Sequence, residues 1–178
     1  RMKYAQDDAG LTDEINRMKE AIDETIGVLR NIASDLRPKA LDMGFVPAAR
    51  WLLSTLQKRS DTIYELEVND EDIVLSDATE TTTFRILQES LTNIVRHARA
   101  SRVTVLLRKN PSTFYMHIKD DGTGFNLQEA SDKHTFGLIG LKERAIMLDG
   151  DCTIDSKPGE GTVIRLEFPL SEADSAIT

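Results

Sequence analysis

Three polar side chains recur at steps of four residues in one helical segment: Glu89, Asn93 and His97, with Arg96 beside them. This spacing places them on one face of a helix. An amide oxygen there can ligate Mg²⁺, a carboxylate one turn earlier can orient a water or accept a proton, and a basic group one turn later can meet phosphate. A solvated helix face with one Glu–His pair has the same spacing, so the pattern alone is consistent with both interpretations.

A second polar motif, DDGTGF at 120–125, follows a predicted strand. Asp120 at the end of that strand can accept a hydrogen bond from an exocyclic amine. Gly122 and Gly124 allow the backbone to turn sharply and to approach a flat ligand. Asp-Gly pairs are also common in ordinary turns, so a tight turn between two elements is the alternative.

Two further glycine motifs follow, FGLIGLKER at 136–144 and GEGT at 159–162. Glycines just before a helix expose backbone N–H groups to an anion such as phosphate. The chain has no GxxxxGK[ST] sequence, so the first motif is not a Walker loop, and a flexible surface loop is its alternative. In the second motif the Thr162 hydroxyl could help to hold a base, although a plain hairpin turn is the simpler interpretation.

The elements that position these motifs can be predicted from periodicity. A long helix is expected over 77–99, and its apolar residues Phe84, Leu87, Leu91, Ile94 and Ala98 should face a core. Other helices are predicted at 47–58 and 141–148, and strands at 62–68, 103–108, 114–119, 152–156 and 162–168. Strands paired as hairpins, with the helices on one side, predict an α+β two-layer sandwich.

The N-terminal region has the heptad pattern of a helical bundle. Its seam positions are Leu11, Ile15, Met18, Ile22, Thr25, Leu29, Ile32 and Leu36. Pro38 ends the helix, and residues 1–10 are predicted to be the tail of a preceding helix and a turn. We therefore expect a partial helical hairpin that dimerises through this seam.

Composition narrows the classes of function. The chain has 178 residues, 40% hydrophobic and 29% charged, with a net charge of −8 and no run of Lys or Arg. A basic surface for nucleic acid or for direct membrane contact is therefore not expected. No apolar window approaches the roughly 18 residues of a membrane span, and we expect a cytoplasmic location, with a parent protein that could be membrane-anchored. The single cysteine, Cys152, is predicted to lie in the core.

Taken together, LQESLTNIVRHA at 87–98, DDGTGF, FGLIGLKER and GEGT resemble the N, G1 and G2 boxes of the ATPase domain of two-component sensor histidine kinases. The sequences DLRP at 35–38 and LDMGF at 41–45 resemble the junction that precedes this domain in the nitrate-sensor-like subfamily. The resemblance covers roughly residues 11–170. It implies a Bergerat-type α/β sandwich with a mixed sheet at 41–170, after a dimerisation hairpin at 1–40 and before a disordered tail at 171–178.

The resemblance also implies roles for residues near the phosphates. Glu89 would be the catalytic residue nearest the reacting phosphate, Asn93 would ligate Mg²⁺, and Arg96 or His97 would lie near the phosphates of ATP. The residues of the lid over the phosphates would be Gly137, Leu138, Gly140 and Leu141.

At the other end of the nucleotide, the resemblance implies that Asp120 binds the adenine amine. Gly122 and Gly124 would border the base, and Thr162 would support Asp120 through a water.

The implied activity is transfer of the ATP γ-phosphoryl group to a histidine of the dimer, for relay to an aspartate of a response regulator. No histidine precedes His97, so we expect the phosphoacceptor on a segment before Arg1, and nucleotide binding without autophosphorylation. One alternative is an anti-sigma-type serine kinase, which the heptad helix and the junction sequence oppose. Another is a degenerate ATPase that serves as a dimerising module, which the intact Asn93, Asp120 and glycine motifs oppose.

Overall fold

The computed structural model describes residues 38–128, 136–171 and 174, together with Glu14 and Met18 of the N-terminal region. The chain divides into two units, 1–37 and 38–178. Glu14 and Met18 are helical, and the other residues of 1–37, which make up most of the predicted hairpin, lie outside the described residues. The division falls near the domain boundary predicted at residue 40, which stays a prediction.

The second unit is built on a five-stranded sheet. Its strands are β1 (Ile63–Val68), β2 (Arg102–Lys109), β3 (Thr113–Asp120), β4 (Asp151–Lys157) and β5 (Gly161–Pro169). Their order across the sheet is β1-β2-β3-β5-β4. The pair β1–β2 is parallel and the other pairs are antiparallel, which confirms the mixed sheet.

The helices are a short 3-10 helix (Lys39–Met43), α1 (Phe45–Gln57), α2 (Asp77–Asn93), a π-helical turn (Ile94–Ala98) and α3 (Phe136–Ile146). The expected pairing of strands as hairpins is confirmed for β2–β3 and for β4–β5, whereas β1 pairs in parallel with β2. A parallel pair needs a crossover connection, and α2 with its π turn provides it. The single α-helix predicted over 77–99 is also corrected, because its α geometry ends at Asn93.

The start of α3 differs from the sequence prediction. The helix begins at Phe136 instead of near Leu141, so the glycines of FGLIGL lie inside it and not in a loop before it. The reason is tertiary packing. Leu141 and Ala145 are fully buried, and Leu138 packs partly buried against the same core. These residues form an apolar stripe at steps of three and four that outweighs the low helix propensity of glycine.

The core lies between one face of the sheet and the helices. The strands show the alternation expected of a sheet with one covered face, and every α2 and π-turn residue predicted to face the core is buried. Phe114 on β3 stacks on Phe168 of β5 at 5.0 Å and meets Phe45 of α1 edge-on at 5.7 Å. Cys152 is 3% exposed, which confirms it as a core residue, and burial raises the pKa of its thiol to about 11.

Asp174, beyond the last strand, is bound to the beginning of α2. It is 2% exposed, and its carboxylate accepts hydrogen bonds from the backbone N–H of Ser76 at 2.7 Å and from the hydroxyl of Ser171 at 2.6 Å. Ser76 is also the N-cap of α2. The other residues of 172–178 lie outside the described residues, so the predicted disorder of that segment stays a prediction for them. Nowhere in the described ranges is there a helix long and apolar enough to cross a membrane.

Candidate functional site

The first group of site residues, which we call the helix-end cluster, consists of Glu89, Asn93 and Gly137. Glu89 and Asn93 lie half-buried near the end of α2, where the backbone of α3 passes over them. A Cβ atom at Gly137 would come within 2.8 Å of the Glu89 Oε1 atom and 3.5 Å of the Asn93 Nδ2 atom. Asn93 Nδ2 is buried and has no hydrogen-bond partner within the described part of the chain. The cluster thus presents a carboxylate and an unsatisfied amide side by side.

The π turn connects this cluster to the loop after β3. The turn ends at Arg99, which has left-handed backbone geometry with φ 51°. The Ala98 carbonyl accepts a hydrogen bond from the Thr123 N–H at 2.7 Å, and the His97 carbonyl accepts one from the Thr123 hydroxyl at 3.4 Å. Single π turns are rare and often occur at functional sites. The side chains of Arg96 and His97 are exposed on this turn.

The second group, which we call the strand-end cluster, consists of Asp120, Gly122, Gly124 and Thr162. Asp120 ends β3, is 1% exposed, and lies opposite Thr162 of β5. Its Oδ1 atom accepts a hydrogen bond from the Gly122 N–H at 2.8 Å, whereas its buried Oδ2 atom has no such partner among the described residues. The carboxylate therefore offers one acceptor atom to a ligand.

The charge state of Asp120 is set by opposing influences. Burial raises the pKa of its carboxyl group, while the hydrogen bond from the Gly122 N–H and the nearby N–H and hydroxyl of Thr162 act in the other direction. The net shift is upward. An ionised carboxylate in this position lacks full solvation, so a donor from a ligand would be stabilising.

The glycines of the strand-end cluster are required by the close approach of three backbone segments. A Cβ atom at Gly122 would lie 2.3 Å from the Ala98 carbonyl oxygen, and one at Gly124 would lie 2.0 Å from the Lys157 carbonyl oxygen. Gly124 also has φ 57°. The loop can therefore pack on both the π turn and the β4–β5 turn only if these positions have no side chain.

Asp121, beside Asp120, has a structural role that the sequence did not reveal. Its carboxylate accepts hydrogen bonds from the N–H groups of Ser101 at 2.8 Å and Arg102 at 2.9 Å, and from the Ser101 hydroxyl at 2.5 Å. These bonds lower its pKa. Successive residues of an extended segment point to opposite sides, so one carboxylate faces the candidate site and the other holds the entry to β2.

Ser156 on β4 is a second residue that sequence reasoning missed. Its hydroxyl accepts a hydrogen bond from the Phe125 N–H at 2.9 Å and lies 3.0 Å from the Thr162 hydroxyl oxygen. The alternation of β4 places Ser156 on the same face as the buried Cys152. A hydroxyl on the covered face of a strand was the signal available in the sequence.

The predicted lid residues divide between the two faces of α3. The Leu141 side chain is fully buried in the core, and Leu138 packs partly against it, so these two side chains serve the packing of the helix. Gly140 lies one turn further along than Gly137, and its carbonyl oxygen accepts a hydrogen bond from Arg144 Nη1 at 3.0 Å. The structure thus brings Gly137, but not the side chain of Leu141, to the helix-end cluster.

Comparison with known proteins identifies the family. A family model described as histidine kinase-, DNA gyrase B-, and HSP90-like ATPase matches residues 78–172, which contain both clusters. The chain belongs to this family. It therefore carries an ATP-binding domain of the histidine-kinase type, as the N, G1 and G2 motifs had indicated.

Individual relatives agree with this assignment. The chain is 38% identical over 141 residues to the signal transduction histidine-protein kinase/phosphatase DegS of Bacillus subtilis, covering 76% of this chain and 37% of that protein. It is 30% identical over 172 residues to the oxygen sensor histidine kinase NreB of Staphylococcus carnosus, covering 96% of this chain and 50% of the relative. The chain thus spans half or less of the length of these relatives.

A solved structure shows the same fold. The histidine kinase domain of a blue-light activated histidine kinase from Erythrobacter litoralis superposes with a TM-score of 0.59 at 19% sequence identity. The match covers 75% of this chain and 64% of that one. The α+β sandwich with a mixed sheet is therefore confirmed by an independent structure.

Proposed function

We propose that the chain is the catalytic domain of a two-component sensor histidine kinase. In this proposal it binds ATP and transfers the γ-phosphoryl group to a histidine of a dimerisation helix, for relay to an aspartate of a response regulator. The observation that carries the proposal is the buried Asp120 carboxylate, whose Oδ2 atom has no hydrogen-bond partner among the described residues. Relatives named as histidine kinases favour this activity over an anti-sigma-type serine kinase or a degenerate module.

The strand-end cluster suits the base of ATP. An exocyclic amine is a donor, and it would pair with the Asp120 Oδ2 atom in a position where water is excluded. Gly122 and Gly124 let the loop beside Asp120 pack closely on the π turn and on the end of β4, which holds the wall of the site in place. Thr162 lies opposite Asp120 and would support it, either directly or through a water.

The helix-end cluster suits the phosphates and a magnesium ion. Within the described residues, no group of three or more His, Cys, Asp or Glu side chains could hold a metal without help. A Mg²⁺ ion would therefore take most of its ligands from phosphate oxygens and water, with the Asn93 amide oxygen as a protein ligand. The Asn93 side chain fits this role. Its amide nitrogen has no hydrogen-bond partner among the described residues, and a flip of the amide group would put its oxygen in the place of that nitrogen. When bound, the ion would neutralise charge on the phosphoryl groups.

Glu89 would orient the incoming histidine or accept its proton, since it lies one turn from Asn93 and beside Gly137. The side chains of Arg96 and His97 are exposed at the π turn. They would contact the phosphates from the solvent side. The rate would then depend mainly on alignment and on charge neutralisation, as is usual in phosphoryl transfer.

Dimerisation through residues 11–36 is also proposed. Met18, one of the seam positions, is helical and 62% exposed in the single chain, as expected of a seam that needs a partner. Sedimentation equilibrium at high micromolar concentration should show self-association. A strict monomer in which this helix is folded would contradict the proposal.

Two substitutions test the nucleotide site from its opposite ends. Asp120→Ala removes the acceptor for the amine, so ATP and ADP affinities should both fall about tenfold or more, with or without Mg²⁺, and the preference over GTP should shrink. Asn93→Ala should weaken mainly the Mg²⁺-bound triphosphate and leave metal-free ADP little affected. Titration calorimetry with ATP, ADP and GTP, each with Mg²⁺ or a chelator, measures both effects.

Thr153→Ala is a matched control, since Thr153 lies exposed on the uncovered face of β4. It should bind every nucleotide like the unaltered protein. If Asp120→Ala and Asn93→Ala behave alike across the panel, or if the unaltered protein binds no adenine nucleotide, the proposed roles are wrong.

A further inference from the structure

Ser156 has more hydrogen-bond contacts around the strand-end cluster than its place in a strand requires. It lies half-buried on β4, directly opposite Thr162 of β5. Its Oγ atom is 2.9 Å from the Phe125 N atom, 3.0 Å from the Thr162 Oγ1 atom and 3.1 Å from the Gly161 carbonyl oxygen. One hydroxyl therefore joins the glycine loop after β3, the β4–β5 turn and the threonine that faces Asp120.

The hydrogen-bonding capacity of the Ser156 hydroxyl is shared among these three partners. A hydroxyl has one proton and two acceptor lone pairs. The Phe125 N–H occupies one lone pair. If the proton is donated to the Gly161 carbonyl, Thr162 donates to the remaining lone pair; if it is donated to Thr162, the Thr162 proton is free for another acceptor. In both arrangements the Thr162 hydroxyl is held at the same distance.

Thr162 is the link from Ser156 to the base-binding carboxylate. It is 9% exposed and paired with Asp120 across β3 and β5, so both side chains point to the same face of the sheet. A freely rotating Thr162 hydroxyl could turn away from Asp120. The bond to Ser156 restricts that rotation and holds the hydroxyl in one orientation on the face that it shares with Asp120.

The bond to Phe125 holds the other wall of the same site. Gly122 and Gly124 allow the loop at 120–125 to pack closely on its neighbours, but glycines do not fix its position. The Phe125 N–H bond to Ser156 ties the end of this loop to β4. It adds to the backbone bond from the Gly159 N–H to the Thr123 carbonyl at 2.6 Å.

We propose that Ser156 is a positioning residue for recognition of the adenine amine, acting through Thr162 and through the loop that ends at Phe125. This inference rests on the proposed function, because it assumes that Asp120 receives the amine. In this proposal Ser156 and Thr162 act together with Asp120 to distinguish a purine that carries a 6-amino group from one that lacks it.

The test compares Ser156→Ala with Ser156→Thr, which keeps the hydroxyl, and with Thr153→Ala on the other face of β4. Binding of ATP and of purine riboside triphosphate, which lacks the 6-amino group, is measured by titration calorimetry. Ser156→Ala should lower ATP affinity about three- to tenfold and the affinity for the amine-free analogue by less, so the ratio between them shrinks. Ser156→Thr should restore the ratio to within about twofold.

A purely structural role for Ser156 would weaken both nucleotides equally. An unchanged ratio in Ser156→Ala would therefore overturn the inference, as would a ratio that Ser156→Thr does not restore. Amide hydrogen exchange in the nucleotide-free protein separates this failure from failure of the proposed function. In Ser156→Ala the Phe125 amide should exchange faster than in the unaltered protein. In Thr153→Ala it should exchange at the unaltered rate. Unchanged exchange at Phe125 would refute the Ser156 contact itself, whereas normal folding without any binding of ATP would refute the proposed function and this inference with it.

Discussion

Gly137 of α3 lies directly against Glu89 of α2, so that a Cβ atom at position 137 would come within 2.8 Å of the Glu89 Oε1 atom. The Asn93 side chain lies beside the same position, with its Nδ2 atom at 3.5 Å. The position of the Glu89 carboxylate is thus tied to the position of α3. A small displacement of α3 would uncover Glu89 and Asn93 together.

Gly137→Ala should therefore disturb the helix-end cluster, and Gly140→Ala is its matched control. Both changes replace a helical glycine and gain about 0.5–1 kcal/mol of helix propensity. At Gly140 the new Cβ atom meets only the end of the flexible Arg144 side chain, at 2.9 Å. Gly140→Ala should raise the melting temperature by a few degrees. Gly137→Ala should show no such gain and should weaken Mg²⁺-ATP binding several-fold, because its Cβ displaces Glu89 or α3. An equal rise in melting temperature in the two variants, or unchanged Mg²⁺-ATP binding in Gly137→Ala, would contradict this.

Asp120→Asn should stabilise the nucleotide-free protein near neutral pH. Burial raises the pKa of Asp120, so its ionised form is less favourable in the folded than in the unfolded chain. That penalty is complete above the raised pKa and disappears as the pH falls below the ordinary value of 3.8. The melting temperature of Asp120→Asn should exceed that of the unaltered protein at pH 7, and the difference should vanish in strong acid.

Asp121→Asn should have the opposite effect. The hydrogen bonds from Ser101 and Arg102 lower the pKa of Asp121, so its ionised form stabilises the fold. This contribution is present above the unfolded pKa and is lost as the pH falls through the lowered folded value. Asp121→Asn should therefore melt below the unaltered protein at pH 7. If the melting temperatures of Asp120→Asn and Asp121→Asn at pH 7 both rose or both fell, the opposite environments of the two carboxylates would not determine their contributions to stability.

Asp174→Ala should loosen the beginning of α2. Burial alone would raise the pKa of Asp174, but hydrogen bonds from Ser171 and Ser76 outweigh it and hold the pKa below its ordinary value. Removing the carboxylate leaves the Ser76 N–H without this partner, at a cost of about 1–3 kcal/mol. A drop of several degrees in melting temperature is expected. Asp155→Ala, which removes only an exposed pairing with Arg165, should change stability far less.

Incubation of the chain with γ-labelled ATP should leave it unlabelled. The three histidines, His97, His117 and His134, all follow residue 96, and none lies on the predicted bundle helix. Addition of a polypeptide that supplies a phosphoacceptor helix should allow label to appear on that polypeptide. An acid-labile, base-stable label on this chain alone would contradict the prediction.

Much of the fold could be predicted from the sequence because the sheet has one covered face. Alternation in 103–108 and 162–168 identified β2 and β5 to within one or two residues at their ends, and the apolar spacing of α2 identified its buried side. The parallel pairing of β1 with β2 could not be predicted, because local alternation carries no information on which strand lies beside which.

The candidate site was predictable only in part, for physical reasons. The glycines of 136–141 predicted a loop, but burial of Leu141 and Ala145 makes the segment helical. The resemblance assigned Asp120 to the site, but the role of Asp121 at the entry of β2 depends on the packing of the loop. Ser156 lies 31 residues from Phe125 in sequence, so its contact depends on tertiary structure.

Between Asn93 and Arg99, the number of residues is itself a structural requirement. A π turn accommodates one residue more than an α turn, and here the addition places the Ala98 carbonyl beneath the Thr123 N–H. Val95 is exposed on this turn and has no role in the proposed site, so many side chains would be accepted at that position. Deleting it should restore α geometry and rotate the Ala98 carbonyl by about 100° about the helix axis. Divergent relatives should therefore vary at position 95, while the length of the segment stays invariant.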